Sequence, residues 1–195
     1  MADFLDPAFA RQLDRPAPSE LVAQLPAALS FTEGATIPVN FLTAHYALRT
    51  VAPIGPGDKV LIHAAAGGTG MAAVQIALAV GAEIYATASL GKWETLRNMG
   101  VSHLYNSRTL DFADDILRDT DGQGVQIVLN SLTGEGFIQK SLAVLAAGGR
   151  FLEMAKRDVW HADEIKARRA RGRGGGARWL LAPVPAIREA SRPRA

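Results

Sequence analysis

Cysteine is absent from the 195 residues. Without thiols the chain can form neither a disulfide framework nor a thiolate-rich zinc site. The four histidines, His45, His63, His103 and His161, show no metal-ligand spacing. No apolar run approaches the roughly 18 residues that a membrane span needs, and the amino terminus carries acid where a signal peptide carries base. These absences predict a cytoplasmic protein that holds no metal and spans no membrane.

Most of the chain carries no excess of basic residues. The formal net charge is only +2, yet nine Lys and Arg residues and a single acid fall within residues 166–195. This tail is rich in Gly, Arg and Pro, and no aromatic residues interleave with its basic run, so it predicts a disordered extension without a nucleic-acid partner. Binding to nucleic acid or to an anionic surface is the alternative. Residues 1–20 predict a loose lead-in.

Strand and helix patterns alternate between these two ends. A helix is predicted at 42–51, before the proline- and glycine-rich segment 52–58. Strands are then predicted at 59–64, 83–87, 103–105, 126–130 and 149–154, with helices at 70–80, 92–99, 112–118 and 137–145. Short apolar strands separated by helices indicate repeated βαβ units. The predicted fold class is therefore α/β, a Rossmann-type doubly wound parallel sheet that forms a cofactor-binding domain over residues 21–165.

Alanine and glycine make up most of the turn between the first of these strands and its helix. The segment reads HAAAGGTG, and Ala65, Gly67 and Gly70 occupy the glycine positions of the G-x-G-x-x-G dinucleotide fingerprint. Gly67 would let the backbone approach a pyrophosphate, and Gly70 would let the helix pack closely on the strand. The helix N-terminus offers unpaired N–H groups to the phosphates. A glycine-rich turn that binds no ligand is the alternative.

The end of the second strand predicts which dinucleotide binds. An NAD site places Asp or Glu about 20 residues after the fingerprint, whereas this chain has Ser89 and Lys92 in that region, with Arg108 after the third strand. Hydroxyl, ammonium and guanidinium donors suit a 2′-phosphate. The expected cofactor is NADP(H). Alternatively, Ser89 is only a helix cap and Lys92 a solvated charge.

Several stretches together resemble one known family. They are FLTAHYAL (41–48), VLIHAAAGGTGMAAVQIA (60–77), ATASLGKWETLR (86–97), NSRTLDFADDI (106–116) and VLNSLTGEGFIQKSLAVLAAGGRFLEMAKRD (128–158). In this order they closely resemble the enoyl reductase domains of modular polyketide synthases. Those domains form part of the zinc-free, quinone-oxidoreductase-like branch of the medium-chain dehydrogenase/reductase superfamily. The resemblance covers roughly residues 20–169.

The resemblance implies an activity, partners and a set of site residues. NADPH would deliver hydride to the β-carbon of an α,β-unsaturated thioester on an acyl carrier protein, among neighbouring synthase domains. The residues matching the family's cofactor site are Thr43, Ala66, Gly67, Gly68, Thr69, Gly70, Ser89, Lys92, Arg108, Asn130, Ser131 and Leu132. Lys156 matches a lysine proposed to protonate the α-carbon, a role that a lysine ammonium suits chemically; a solvent-facing lysine is the alternative.

The chain also departs from the family pattern. Ala155 replaces the glycine before the lysine, and no aspartate stands near residue 178, where the family has a second proposed acid. The substrate-binding lobe expected before the cofactor domain is missing, and the sheet is expected to lose the strands that follow Met154, exposing its edge. A frameshift or premature truncation would explain the tail, with a native linker as the alternative.

Three functions therefore stay open. The first is an enoyl reductase segment of a polyketide synthase. The second is a stand-alone quinone or enal reductase, and the third is a non-catalytic fragment that at most binds nucleotide.

Overall fold

The first described helix begins earlier than the sequence predicts. The computed structural model describes residues 22–155 and the backbone of a strand at 178–180, and contacts divide the chain into the units Met1–Ala35 and Thr36–Ala195. Helix α1 runs from Phe31 to His45. Its N-terminus carries a capping box, in which the Ser30 N–H donates to Oε2 of Glu33 over 2.9 Å and the Glu33 N–H donates to Oγ of Ser30 over 3.2 Å.

The predicted single helix at 42–51 is thus wrong in its bounds. The capping box starts α1 eleven positions earlier than predicted, at residue 31 instead of 42. The chain then widens into a π-helical segment, Tyr46–Val51. Its wider turn shows in the Ala52 N–H, which donates over 2.9 Å to the carbonyl of Ala47, five residues back.

One parallel sheet forms the centre of the second unit. Within the described residues it has six strands in the order β3-β2-β1-β4-β5-β6. The strands are β1 Lys59–Ile62, β2 Glu83–Ala88, β3 His103–Asn106, β4 Val125–Asn130, β5 Leu145–Glu153 and β6 Arg178–Leu180. The connecting helices are α2 Gly68–Ala79, α3 Trp93–Asn98 after a 3₁₀ turn at Leu90–Lys92, α4 Phe112–Asp119 and α5 Phe137–Ala143. This confirms the predicted doubly wound α/β fold.

The strand order creates a switch point beside β1. The chain moves outward from β1 through β2 to β3, then returns to place β4 on the other side of β1, where Leu61 aligns with Tyr85 on one neighbour and Val128 on the other. Because connections leave in opposite directions there, a crevice opens beyond the carboxyl ends of β1 and β4. In α/β proteins of this kind, ligands bind in that crevice.

Two apolar clusters cover the two faces of the sheet. Val60 and Ile62 belong to one cluster, together with small residues of α2 such as Ala73 and Ala77. Leu61, between them in the chain, belongs to the other cluster, which includes Phe112 of α4. This alternation is what a parallel strand buried on both faces requires.

The far edge of the sheet differs from the prediction. β5 begins at Leu145, where the sequence predicts the end of a helix, and its pairing with β4 contains a register shift between Val125 and Ile127. The expectation that the sheet loses the strands after Met154 and exposes its edge is wrong for residues 150–152 of β5, because β6 pairs with them and aligns Arg178 with Arg150. Unpaired N–H and C=O groups on a strand edge readily accept another extended segment.

The rest of the 166–195 tail and the 1–20 lead-in lie outside the described residues. Disorder of that part of the tail and a loose lead-in therefore stay predictions. None of the helices in the described residues combines the length and hydropathy required to cross a membrane.

Candidate functional site

The turn between β1 and α2 is tied to the neighbouring strand. The Gly67 N–H donates to the Ala64 carbonyl over 2.9 Å, and the Ala65 N–H donates to the Thr87 carbonyl over 2.9 Å. Ala64 adopts a φ of 49°, in the left-handed region that non-glycine residues disfavour. These bonds hold the turn against the carboxyl end of β2, within the switch-point region.

The glycines of the turn have two different surroundings. Gly67 and Gly68 are exposed, and Gly68 starts α2, whose first N–H groups have no intrahelical acceptor. Gly70 is buried, and a Cβ placed on it would lie 2.5 Å from the Ala64 oxygen and 2.6 Å from the Ala65 Cα. The close packing of α2 on β1 therefore requires Gly70, while Gly67 and Gly68 leave bare backbone at the mouth of the turn.

An asparagine on α1 supports the start of α2. The Thr69 hydroxyl donates to Oδ1 of Asn40 over 3.1 Å. A Cβ on Gly68 would lie 2.7 Å from the amide of Asn40. Asn40 belongs to none of the predicted site motifs, although it stands directly before the stretch FLTAHYAL. The predicted site residue Thr43 is half-buried on the same helix, almost one turn further along.

The carboxyl end of β4 supplies the opposite side of the crevice. Asn130 is buried, and its Nδ2 donates to Oε2 of Glu153 over 2.8 Å and to the Leu132 carbonyl over 3.2 Å. The Ser131 hydroxyl donates to the His63 carbonyl over 3.2 Å. The structure thus joins the predicted 130–132 segment directly to the end of β1.

Glu153 is a buried acid beside this segment that the sequence analysis missed. Burial raises the pKa of its carboxyl group, and hydrogen bonds from the Ala155 N–H, the Asn130 amide and the Met154 N–H partly oppose that shift. The Ala155 N–H donates to Oε1 over 2.7 Å. Glu153 thereby holds the end of β5 against the end of β4.

The predicted 2′-phosphate ligands follow β2 and β3. Ser89 is the N-cap of the 3₁₀ turn but makes no side-chain capping bond, and the Lys92 N–H donates to its carbonyl over 2.9 Å. Ala88 aligns with Asn106, so Arg108 follows the neighbouring strand end. Lys92 and Arg108 are exposed, and neither forms an ion pair within residues 22–155. Their donors are available to an anion.

A groove of about 800 Å³ also borders the first turn of α2. Its lining includes Asn40, Phe41, Gly68 and Met71, and most of it is apolar. Its lining comes from α1 and α2, together with Met99, and includes no residue of the ends of β1 and β4. The strand-end crevice, which carries the polar groups, is therefore the better candidate for nucleotide. The predicted proton donor Lys156 lies outside the described residues.

Sequence comparisons identify proteins related to this chain. Residues 68–171 match the zinc-binding dehydrogenase family. The chain is 53% identical over 150 residues to the phenolphthiocerol synthesis polyketide synthase Pks15/1 of Mycobacterium marinum, covering 76% of this chain and 7% of that protein. It is 48% identical over 153 residues to the pikromycin synthase component PikAII of Streptomyces venezuelae, covering 77% of this chain and 4% of that protein.

Solved structures narrow the assignment to one domain. The CurK enoyl reductase is 50% identical with a TM-score of 0.76, over 87% of this chain and 48% of that one. The nucleotide-binding subdomain of the PpsC enoylreductase domain from Mycobacterium tuberculosis is 45% identical with a TM-score of 0.67, over 78% of this chain and 85% of that one. The chain belongs to the polyketide synthase enoyl reductases. This enoyl reductase chain spans about half of the solved CurK chain and a small fraction of the curated synthases.

The family description raises the question of zinc. The enoyl reductase chain has no cysteine, and within the described residues no three His, Asp or Glu side chains are placed to hold a metal ion. The described residues therefore do not fit a zinc site. They do fit a dinucleotide, because the turn at Gly67 and Gly68 presents bare backbone at a helix N-terminus.

Proposed function

We propose that this chain is the NADPH-binding part of an enoyl reductase domain that reduces an α,β-unsaturated acyl thioester within a polyketide synthase. The observation that carries the proposal is the exposed backbone of Gly67 and Gly68, at the N-terminus of α2 and beside the switch point. A pyrophosphate there would accept hydrogen bonds from the N–H groups of the first turn of α2, beginning with Gly68, which have no intrahelical acceptor; the Gly67 N–H already donates to the Ala64 carbonyl. The remaining loop residues, Ala66, Thr69 and Gly70, shape this turn.

The other site residues receive roles from their positions. Bound NADPH supplies the hydride that adds to the β-carbon of the thioester. Asn130, Ser131 and Leu132, at the end of β4, would border the nicotinamide, and Thr43 on α1 would lie near the mouth of the site. Lys156, which follows β5 in the chain, would give a proton to the α-carbon, because an ammonium can stabilise an enolate and then protonate it.

Selectivity for NADPH would come from the β2 and β3 ends. Ser89, Lys92 and Arg108 provide hydroxyl, ammonium and guanidinium donors where an NAD site carries a carboxylate. One supporting relative is the mycobacterial protein Rv1454c, solved in complex with NADPH, which is 28% identical with a TM-score of 0.74 over 89% of this chain and 53% of that one.

The partners follow from the same family membership. The curated relatives are polyketide synthases, so neighbouring synthase domains and an acyl carrier protein bearing the enoyl chain are the proposed partners. A cytoplasmic location remains a prediction from the sequence.

A titration of NADPH and NADH against the 195-residue chain tests the proposal. We expect tighter binding of NADPH. Because a hydrogen bond to a charged group contributes about 1.5–3 kcal/mol, Lys92→Ala should weaken NADPH binding by roughly ten- to a hundredfold and leave NADH binding unchanged. Arg49→Ala is the matched control, since Arg49 is an exposed cation on the segment that leads to the amino end of β1.

Two outcomes would contradict the proposal. Equal affinity of the parent chain for the two nucleotides would remove the assignment of NADPH. An equal loss of both nucleotides in Lys92→Ala would show that Lys92 contacts a group they share, and the 2′-phosphate assignment would then be wrong.

A further inference from the structure

His63 is a buried polar side chain for which the proposed function has no use. It follows β1 directly and is 1% exposed. Its Nδ1 lies 3.0 Å from Oγ1 of Thr87, and its Nε2 lies 2.8 Å from Oγ of Ser141. The imidazole therefore connects the end of β1 to β2 on one side and to α5 on the other.

The donor and the acceptor of each hydrogen bond in this series can be assigned by starting from its two ends. The Phe137 carbonyl only accepts, so the Ser141 hydroxyl donates to it, over 2.7 Å. Ser141 Oγ then accepts from the Nε2–H of His63, which leaves Nδ1 to accept from the Thr87 hydroxyl. Thr87 Oγ1 in turn accepts from the Ala64 N–H over 3.2 Å. Only this tautomer gives every donor an acceptor.

The imidazole is uncharged in this position. Burial lowers the pKa of His63 to about 3. The ring packs edge-on against Phe112, with centroids 5.1 Å apart, and no carboxylate or cation contacts it within the described residues. The direction of the hydrogen bonds is therefore the same throughout the neutral pH range.

The chain of hydrogen bonds ends at the most constrained residue of the glycine-rich turn. Ala64 has a φ of 49°, a conformation that an alanine keeps only where its surroundings enforce it. Its N–H is held by Thr87, and its carbonyl accepts from the Gly67 N–H over 2.9 Å. A change at the Thr87 hydroxyl would thus be transmitted to Gly67.

We propose that His63 is a positioning residue for nucleotide binding: its imidazole orients the Thr87 hydroxyl, which holds Ala64 and so fixes the turn that presents Gly67. The inference rests on the proposed function of this turn. It means that nucleotide binding depends on more than the fingerprint residues. It also depends on the series of hydrogen bonds that runs from α5 through His63 and β2 to the turn.

Variants at His63 and Thr87 test this inference in the 195-residue chain. Thr87→Val keeps the shape of the side chain but removes the hydroxyl, and His63→Phe keeps a ring without its nitrogens. We expect each to weaken NADPH binding about tenfold, the loss typical of one hydrogen bond, and to speed amide hydrogen exchange at Ala64. Thr87→Ser should retain parent values. The double variant should bind no more weakly than either single variant, because both act through one chain.

Thr120→Val is the matched control. Thr120 is also buried and also accepts a backbone N–H, that of Gly124, over 2.9 Å, but it follows α4 at the other end of the sheet. We expect this variant to lower the thermal midpoint while leaving NADPH affinity unchanged.

The outcomes separate this inference from the proposed function. Fully additive losses in the double variant, or parent-like exchange at Ala64 in a folded Thr87→Val protein, would overturn the positioning role. Exchange at Ala64 can be measured without nucleotide. A parent chain that binds neither nucleotide would overturn the proposed function, and with it any role of His63 in binding.

Discussion

The His63 imidazole is neutral inside the folded protein, whereas in the unfolded chain it titrates at an ordinary pKa near 6.5. Since burial lowers the folded pKa to about 3, the unfolded state binds more protons between these two values. The stability that the neutral imidazole contributes is complete above pH 6.5 and is lost progressively as the pH falls toward 3. His63 thus gives the fold a sensitivity to acid.

Replacing His63 with Gln should remove this sensitivity. The free energy of unfolding of the parent should fall relative to His63→Gln by up to about 1.4 kcal/mol per pH unit between about pH 6 and pH 4. Urea titrations at several pH values measure the difference. Thr120→Val is the control, because Thr120 is buried and hydrogen-bonded but carries no titratable group, so this variant should retain the parent slope. Parallel pH profiles for the parent and His63→Gln would contradict the prediction.

At the scale of single elements, the β1 turn and the start of α2 depend on two glycines for different reasons. Gly70→Ala should destabilise the fold by a few kcal/mol, since the added Cβ would meet the Ala64 oxygen at 2.5 Å. Gly67→Val should preserve most of the fold, because Gly67 has extended backbone angles, and although its Cβ would lie a tight 3.2 Å from that oxygen, a small backbone shift relieves the contact. Its side chain would instead obstruct the pyrophosphate and abolish NADPH binding.

Circular dichroism and nucleotide titration together check this contrast. Gly55→Ala is the control for adding a methyl group, because Gly55 precedes the amino end of β1 and the nearest atom to its Cβ position is an Asp58 oxygen at 4.0 Å; it should leave NADPH binding unchanged. Parent-like NADPH affinity in a folded Gly67→Val protein would show that the turn is not the phosphate site.

The elements themselves were largely predictable because their signals are local. Apolar runs and the bulk-free turn locate β1 and α2, and the parallel sheet follows from the alternation of strands and helices. The start of β5 at Leu145 was not predictable, since it depends on pairing with β4 through an irregular register. The early start of α1 does have a local signal, Ser30 followed by Glu33, which the sequence analysis did not use.

The supporting contacts of the site had no local signal. His63 bonds to Thr87 and Ser141, which are 24 and 78 positions away in the sequence, and Asn40 bonds to Thr69, 29 positions away. The fingerprint predicts where backbone can approach a ligand, but only the folded sheet brings these side chains together. Residues that touch nucleotide are therefore easier to predict than residues that position them.

Over the whole molecule, the two apolar clusters enclose one sheet, and that sheet carries the candidate nucleotide site at its carboxyl edge. The chain corresponds to 85% of a solved nucleotide-binding subdomain but to 48% of the CurK enoyl reductase chain. A complete enoyl reductase of that kind therefore contains about as much structure again. A chain long enough to bind nucleotide can therefore be too short to catalyse the reduction.

We therefore expect the 195-residue chain, expressed alone, to bind NADPH without reducing a crotonyl thioester. Hydride transfer requires the β-carbon to be held about 3–3.5 Å from the nicotinamide, and such positioning supplies roughly 7–11 kcal/mol of the barrier reduction. The candidate site at the strand ends offers bare backbone and polar side chains, whereas the apolar groove of the described residues is lined by α1, α2 and Met99 and includes no residue of the ends of β1 and β4. Joining the chain to the part of a related solved enoyl reductase that it does not cover should give turnover.

Steady-state oxidation of NADPH measures this directly. The rate with the 195-residue chain should not depend on the thioester, and it should equal that of Gly67→Val, in which nucleotide binding is blocked. In the joined protein, Lys156→Ala should lower kcat with little change in NADPH affinity, because a proton donor acts after the nucleotide has bound. Thioester-dependent turnover by the 195-residue chain that disappears in Lys156→Ala would mean that this chain alone already holds the acyl group beside the nicotinamide.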